Sequence, residues 1–191
     1  MALLYVPNES DNTVSVIDTS TNLVVATIPV GGQFADTAAS SPDGAFVYVA
    51  SESGIVSVIA TATNSVVATI NVGRQPYVVT FNPAGTLAYV TNHSSANVSV
   101  IDTATKSVVA TIAVGAGPYG AAFSPDGTHA YVTNEIDGTV SVVDTATNSV
   151  ITTIPVGGEP TMVAVSLTAS TPTSTTMPAV LSRSLTQPPT Q

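Results

Sequence analysis

Four copies of one pattern follow each other along most of this chain. A Tyr-Val pair followed by two small or polar residues begins 41 to 43 residues after the previous one, at Tyr5, Tyr48, Tyr89 and Tyr131. A glycine marker keeps a constant spacing of 42 residues, at Gly31, Gly73, Gly115 and Gly157. Self-similarity at one fixed period indicates that a single supersecondary unit is repeated and stacked.

Each unit contains four short β-strand signals. In the third unit they cover residues 78–81, 87–90, 98–101 and 108–112, and Gly, Pro, Asn, Asp and Thr clusters separate them. Short β-branched runs between turn residues favour strands, and no segment keeps the 3.6-residue period of a helix. Four antiparallel strands in about 40–45 residues are typical of one propeller blade. The sequence therefore predicts an all-β protein, a β-propeller of four four-stranded antiparallel blades.

Several of the repeated motifs occur in a known family. Tyr-Val-Thr-Asn stands at residues 89–92 and 131–134, Ser-Pro-Asp-Gly at 41–44 and 124–127, and Val-Val-Ala-Thr-Ile at 24–28, 66–70 and 108–112. The chain resembles the YVTN family of β-propeller repeat proteins over residues 1 to about 166. This resemblance implies that the four strands of each blade follow one another from the central channel outward. It also implies a secreted or cell-surface location. Because a fold does not determine a function, the resemblance leaves the activity open.

Counting the strands gives a hypothesis for how the ring closes. The chain begins with the second strand of a blade, and the innermost strands are predicted at residues 35–40, 77–82, 119–124 and 161–166. The simplest closure pairs residues 161–166 with the N-terminal strand, since an unpaired strand edge is otherwise left exposed. A single four-bladed ring over residues 1–166 is favoured, so we expect a monomer. Two chains that together close eight blades are the competing arrangement.

Residues 167–191 differ in composition. They contain 7 Thr, 4 Ser and 4 Pro among 25 residues and no aromatic residue. Such a segment buries too little apolar surface to offset the entropy of ordering, so we expect a flexible Ser/Thr/Pro-rich tail. The N-terminus has neither the basic region nor the long apolar core of a signal peptide.

The charge balance excludes several partners. Twelve acidic residues against three basic ones give a net charge of −9, and there is no Cys. Three basic residues cannot neutralise a run of phosphates, which argues against nucleic acid and against anionic membranes. Without Cys there is no thiol nucleophile, disulfide or thiolate metal site. We expect no cofactor and no insertion into a membrane.

The candidate ligand-binding residues lie on one face of the predicted propeller. The loops after the second and fourth strands of each blade emerge there, and loops on a rigid scaffold often carry function. Tyrosines at the start of inner strands could stack on a ligand, and an arginine could hold an anion. The selected residues are Asp36, Arg74, Tyr77, Tyr119, Glu159 and His93.

No catalytic or metal site is predicted. The chain has no Gly-x-Ser-x-Gly elbow, and its two histidines, His93 and His129, are expected at opposite ends of the ring. No calcium-loop spacing is present. Paired carboxylates could perform acid–base chemistry only if Asp36 and Glu159 both face the channel.

Three functional hypotheses remain. The first is a non-catalytic binding or scaffolding module whose loop face takes a protein, a small molecule or a carbohydrate. The second is a hydrolase of the lactonase type acting at the central channel, which the resemblance to related propellers implies. The third is a self-assembling structural protein.

Overall fold

The computed structural model describes residues 2–166, and these residues fold almost entirely into β-strands. A single turn of 3₁₀-helix, His93–Ser95, interrupts them, and no helix in this part of the chain is long and apolar enough to cross a bilayer. The strands are β1 (Leu3–Asn8), β2 (Thr13–Asp18), β3 (Leu23–Pro29), β4 (Ala35–Ser40), β5 (Phe46–Ser51), β6 (Ile55–Ala60), β7 (Ser65–Asn71), β8 (Pro76–Phe81), β9 (Leu87–Asn92), β10 (Asn97–Asp102), β11 (Ser107–Ala113), β12 (Pro118–Phe123), β13 (His129–Asn134), β14 (Thr139–Asp144) and β15 (Ser149–Pro155).

The strands form four antiparallel sheets, one for each sequence repeat. The orders are β1-β2-β3, β4-β5-β6-β7, β8-β9-β10-β11 and β12-β13-β14-β15. Each sheet is a meander in which consecutive strands are neighbours. The prediction of an all-β propeller with four antiparallel blades is confirmed.

Aspartate side chains close the repeated turn between the third and fourth strands of a blade. In the turn between β10 and β11, the Asp102 carboxylate accepts the Thr105 backbone N–H at 2.7 Å, and Asp144 accepts that of Thr147 at 2.8 Å in the next blade. These are local turns closed by an Asp side chain. The last residue of this turn has a positive φ in all four blades, and it is Asn in three of them and Lys106 in the third blade.

A β-bulge recurs in the outer strand of every blade. The pairing between the last two strands of each sheet shifts by one residue, at Val25, Val67, Val109 and Ile151. All four side chains are exposed or nearly so. These four residues are also spaced 42 apart. Because a bulge bends its strand and increases the local twist, their constant spacing reflects backbone geometry rather than core packing.

The hydrophobic cores lie between neighbouring blades. In one of them Tyr89 and Ile112 of the third blade pack against Val132 and Val143 of the fourth. Aromatic edge contacts reinforce this arrangement, since Tyr89 lies 4.6 Å from the ring of Phe123 between centroids. Equivalent cores join the first blade to the second and the second to the third.

The predicted closure of the ring within one chain is wrong. The first sheet has only three strands, and residues 161–166 belong to no strand. Instead, the Thr161 carbonyl accepts the Thr133 hydroxyl at 2.5 Å, just as the Tyr119 carbonyl accepts the Thr91 hydroxyl at 2.7 Å one blade earlier. The segment thus continues past the fourth blade, and the described residues form an open arc. Strand counting identifies which strand lacks a partner, but side-chain packing between blades sets the rotation that decides whether the ends meet.

The predicted flexible tail, residues 167–191, lies outside the described residues.

Candidate functional site

Two tyrosines at the start of inner strands lie against each other on the loop face. Tyr77 follows Pro76 in β8, and Tyr119 follows Pro118 in β12. Their ring centroids are 5.0 Å apart at an angle of 50°. Both are half-buried, so one part of each ring packs and another part meets solvent.

His93 joins the tyrosines from the loop after β9. Its ring centroid lies 5.0 Å from that of Tyr77, and its Nε2 is 2.9 Å from Oε2 of Glu135. The His93 side chain is 17% exposed and that of Glu135 is 29% exposed. We call Tyr77, His93 and Tyr119 the aromatic cluster, and Glu135 is its carboxylate partner.

A polar network holds the cluster in place. The Gln75 side-chain amide donates to the Tyr77 hydroxyl at 3.0 Å, and the Ser94 hydroxyl donates to Gln75 Oε1 at 2.5 Å. The His93 backbone N–H donates to the Gln75 carbonyl at 2.9 Å. These contacts tie the loop before β8 to the loop after β9, so the two loops present their side chains as one surface.

Negative charge converges on this cluster. Burial raises the pKa of Tyr77 above its usual range, and the carboxylates of Glu52, Asp36 and Glu135 add to that effect. Burial, and then the charge of Glu9, raises the pKa of Asp36. The aromatic cluster therefore lies in a negative potential supplied by several blades.

The predicted site residues are only partly brought together. Tyr77, Tyr119 and His93 form the cluster, and Asp36 contributes charge to it. Arg74 is exposed and directs its guanidinium to the Ser94 carbonyl at 3.3 Å.

Glu159 does not contact the aromatic rings, but it lies in a groove next to the cluster's carboxylate partner Glu135. It lines a groove of about 720 Å³ together with Glu135, Asp137 and Gly157. Asp36 is not among the residues of this groove. The structure thus does not combine Asp36 and Glu159 into a pair of carboxylates in one pocket.

Sequence reasoning did not select Glu135 and Gln75, which hydrogen-bond to His93 and Tyr77 of the cluster. The available signal was the repeat itself, because His93 and Glu135 are 42 residues apart and directly follow Asn92 and Asn134. The corresponding residues after β1 and β5 are Glu9 and Glu52. One loop position therefore carries three carboxylates and one imidazole around the same face.

This arrangement suits a cation better than an anion. Tyrosine faces attract cationic groups, and the surrounding carboxylates add Coulombic attraction. Within residues 2–166, no three His, Cys, Asp or Glu side chains are grouped closely enough to hold a metal ion.

Comparison with known families identifies the chain more closely. The family model described as the cytochrome D1 heme domain matches residues 2–121, which is more than half of the chain. The chain belongs to the cytochrome D1 heme domain family. A second family model, described as a 7-bladed β-propeller lactonase, matches residues 102–156. No curated protein matches the sequence.

Solved structures show the same fold. Hydrazine synthase from Kuenenia stuttgartiensis superposes with a TM-score of 0.77 at 28% identity, covering 81% of this chain and 46% of that one. A functionally unknown protein from Desulfotomaculum acetoxidans superposes with a TM-score of 0.71 at 20% identity, covering 85% and 55%. The chain thus spans about half the length of these structures.

The residues present do not fit the heme that gives the family its name. Heme iron is held by His, Met, Cys or Tyr in a pocket of controlled polarity. In the described part of the chain, His93 has its Nε2 engaged by Glu135 and its ring against Tyr77. The carboxylates of Glu52, Asp36 and Glu135, which act on Tyr77, repel the propionate groups of a heme. His129 lies at the start of β13, next to the turn between β12 and β13, with Nδ1 2.8 Å from the Thr128 hydroxyl.

Proposed function

We propose that the chain is a non-catalytic β-propeller binding module that takes a cationic group on its loop face. The observation that carries this proposal is the aromatic cluster, in which the Tyr77 ring contacts His93 of its own blade and Tyr119 of the next blade amid carboxylates. The cationic group would be an ammonium or guanidinium of a small molecule or of a protein side chain. It would lie over the tyrosine faces, where cation–π attraction and the negative potential act together.

The scaffold supports this role. The inner strands β8 and β12 begin with Pro-Tyr, and the Thr91 hydroxyl donates to the Tyr119 carbonyl. The two rings therefore keep a fixed spacing without a ligand, and a preorganised site loses little entropy when a ligand binds.

A titration with tetramethylammonium chloride tests the proposal directly. Amide and side-chain NMR signals of Tyr77, His93 and Tyr119 should shift with added tetramethylammonium and not with sodium chloride at equal ionic strength. Tyr77→Leu should abolish the shifts because it removes one aromatic face. Phe34→Leu is the matched control, since Phe34 is an aromatic residue, 48% exposed, in the loop before β4 and outside the cluster. Equal shifts in both variants, or none in the unmodified protein, would contradict the proposal.

Lactone hydrolysis is the second candidate function. The match of the lactonase family model to residues 102–156 favours it. It would require Glu159, the carboxylate beside the groove at the fourth blade. A screen of sugar lactones with added divalent metal ions should show turnover that Glu159→Ala removes. Turnover of that kind would replace the non-catalytic role, and its absence would leave binding as the proposed function.

A further inference from the structure

The apolar core between consecutive blades recurs at each of the three interfaces within the chain. Between the third and fourth blades, Tyr89, Val98 and Ile112 on one side meet Val132 and Val143 on the other. The corresponding residues of the first and second blades form an equivalent core. The chain therefore contains three copies of one blade-to-blade interface.

The fourth blade presents one half of this interface without a partner. Ile154 is 44% exposed, whereas its equivalents Ile28, Ile70 and Ile112 are between 3% and 5% exposed. Tyr131 is half-buried, whereas Tyr89 is fully buried. We call Tyr131, Val140 and Ile154 the fourth-blade end.

The first blade presents the other half. Leu4, Val6 and Ile17 lie three repeats before Ala130, Val132 and Val143, the side chains that pack against the third blade. Leu4 is 53% exposed and Val6 is 41% exposed, although Ala130 and Val132 are fully buried. We call Leu4, Val6 and Ile17 the first-blade end.

The polar contacts of the interface also have matching halves. The Tyr5 hydroxyl donates to Asn64 Oδ1 at 2.7 Å, and the Tyr89 hydroxyl donates to Asn148 Oδ1 at 3.1 Å. Tyr131 is the corresponding donor at the fourth-blade end. Asn22 is the corresponding acceptor at the first-blade end, and its φ of 56° is close to the 49° of Asn64 and the 51° of Asn148.

The loops show the same complementarity. The Ala116 N–H donates to Asp137 Oδ2 at 2.7 Å, and a Cβ added at Gly115 would lie 2.6 Å from the Asn134 side chain. One repeat later, Gly157 and Gly158 have nothing within 4 Å of an added Cβ, and they line the groove of about 720 Å³. The loop that would fill this groove has the equivalents of Asn134 and Asp137, which are Asn8 and Asp11 of the first blade.

The inner strand is the third complementary element. Residues 160–166 follow the fourth blade at the position where β8 follows the second blade and β12 follows the third. The preceding residue Glu159 has a φ of 53°, as does Gln75 before β8. β1 has no inner neighbour among the described residues. In the fourth blade Ala121 pairs with Val132, so the same register places Val163 opposite Val6.

We propose that a second copy of this chain docks at each end, so that two copies form a closed ring of eight blades. Residues 160–166 of each protomer add to β1 of its partner as the missing inner strand, and the fourth-blade end of each covers the first-blade end of the other. Strand addition supplies main-chain hydrogen bonds, and the apolar contacts repeat those already present within the chain. A head-to-tail interface closes into a ring when the rotations sum to a full turn.

An engineered disulfide tests the register and the number of chains together. The chain has no cysteine, so Val6→Cys combined with Val163→Cys introduces the only two thiols. After mild oxidation of the full chain, a dimer linked between protomers should appear without reducing agent and disappear with it. Val109→Cys with Val163→Cys is the control, because Val109 is an exposed bulge residue away from both ends, and it should not cross-link in this way.

Other cross-linking outcomes would overturn the proposal. A disulfide within a single chain would show that one chain closes its own ring. Cross-linked species larger than a dimer would show an open filament. No cross-link in either variant would show that Val6 and Val163 do not meet.

Charge placed in the interface provides a second measurement. Ile154→Asp should convert the dimer to a folded monomer, with an unchanged far-UV circular dichroism spectrum and half the mass by sedimentation velocity. Val109→Asp, a matched change on an exposed valine, should leave the dimer intact. If Ile154→Asp and Val109→Asp have the same mass, the fourth-blade end is not the interface.

Discussion

At the scale of single residues, the hydroxyl of the Tyr-Val tyrosine links one blade to the next at two of the three interfaces within the described residues. Tyr5 and Tyr89 donate to the asparagines of the following blade, but the buried Tyr48 hydroxyl has no hydrogen-bond partner. Lys106 occupies the place that asparagine fills in the other blades, and its Nζ lies 4.4 Å from the centroid of the Phe46 ring. Burial, with smaller contributions from Asp102 and Asp43, raises the pKa of Tyr48 to about 12.

Lys106→Asn should therefore stabilise the protein. It supplies the missing acceptor for a buried hydroxyl, which contributes about 1–3 kcal/mol. It also removes the cation–π contact with Phe46, which costs about 0.5 kcal/mol. We expect the free energy of unfolding in urea to rise by about 1 kcal/mol. Lys106→Ala is the control, and equal stability of the Asn and Ala variants would contradict this account.

The Ser-Pro-Asp-Gly turn makes a prediction about pH. The Ser124 hydroxyl and then the Thr128 backbone N–H donate to Asp126, and these bonds lower its pKa from 3.8 to about 2. A lowered pKa means that this contribution to stability is complete above pH 3.8 and is lost as the pH falls through about 2. A carboxyl ¹³C titration should give a midpoint near 2, and Ser124→Ala should move it upward. An unchanged midpoint in Ser124→Ala would show that the hydroxyl is not the cause.

At the scale of elements, the threonine of Tyr-Val-Thr-Asn hydrogen-bonds to the inner strands of two neighbouring blades. The Thr91 hydroxyl accepts the Val78 N–H at 3.1 Å within its blade and donates to the Tyr119 carbonyl at 2.7 Å in the next. It is completely buried. This side chain therefore positions the backbone at the start of β8 and β12, which carries Tyr77 and Tyr119.

Thr91→Val removes both hydrogen bonds while keeping the shape of the side chain. Because it leaves a partly buried N–H and a partly buried carbonyl without the hydroxyl that paired with them, we expect the free energy of unfolding to fall by about 1–3 kcal/mol. Thr111→Val on the exposed face of β11 is the control and should change it by less than about 0.5 kcal/mol. Chemical denaturation of both variants measures the difference, and equal losses would show that Thr91 does not fasten the strands.

Much of the architecture is predictable from the repeat, and one step is not. The turn signals around Asp102 and Asp144 and the β-branched runs identify the strands, because each is a local preference of the backbone. The contact between His93 and Glu135 is also encoded, since loops one repeat apart lie side by side. The ring closure is not encoded locally, since it depends on the summed rotation of several packed interfaces. A strand count therefore assigned residues 161–166 to the wrong neighbour.

At the scale of the whole molecule, the described residues form an arc of four blades whose two ends are complementary. The exposed Ile154 and Val6 are the halves of a contact that is buried three times within the chain. The aromatic cluster lies between the third and fourth blades, and its carboxylate partner Glu135 also lines the groove beyond the fourth blade. Substitutions at Tyr77 and at Ile154 therefore test ligand binding and assembly through different side chains.

The mass of the unmodified chain in solution, measured by sedimentation equilibrium over a wide concentration range, tests this account most directly. Complementary ends predict a species of twice the 19.2 kDa chain mass that dissociates only on dilution. A mass of 19.2 kDa at every concentration would contradict it, because the exposed ends would then have no second copy to cover them.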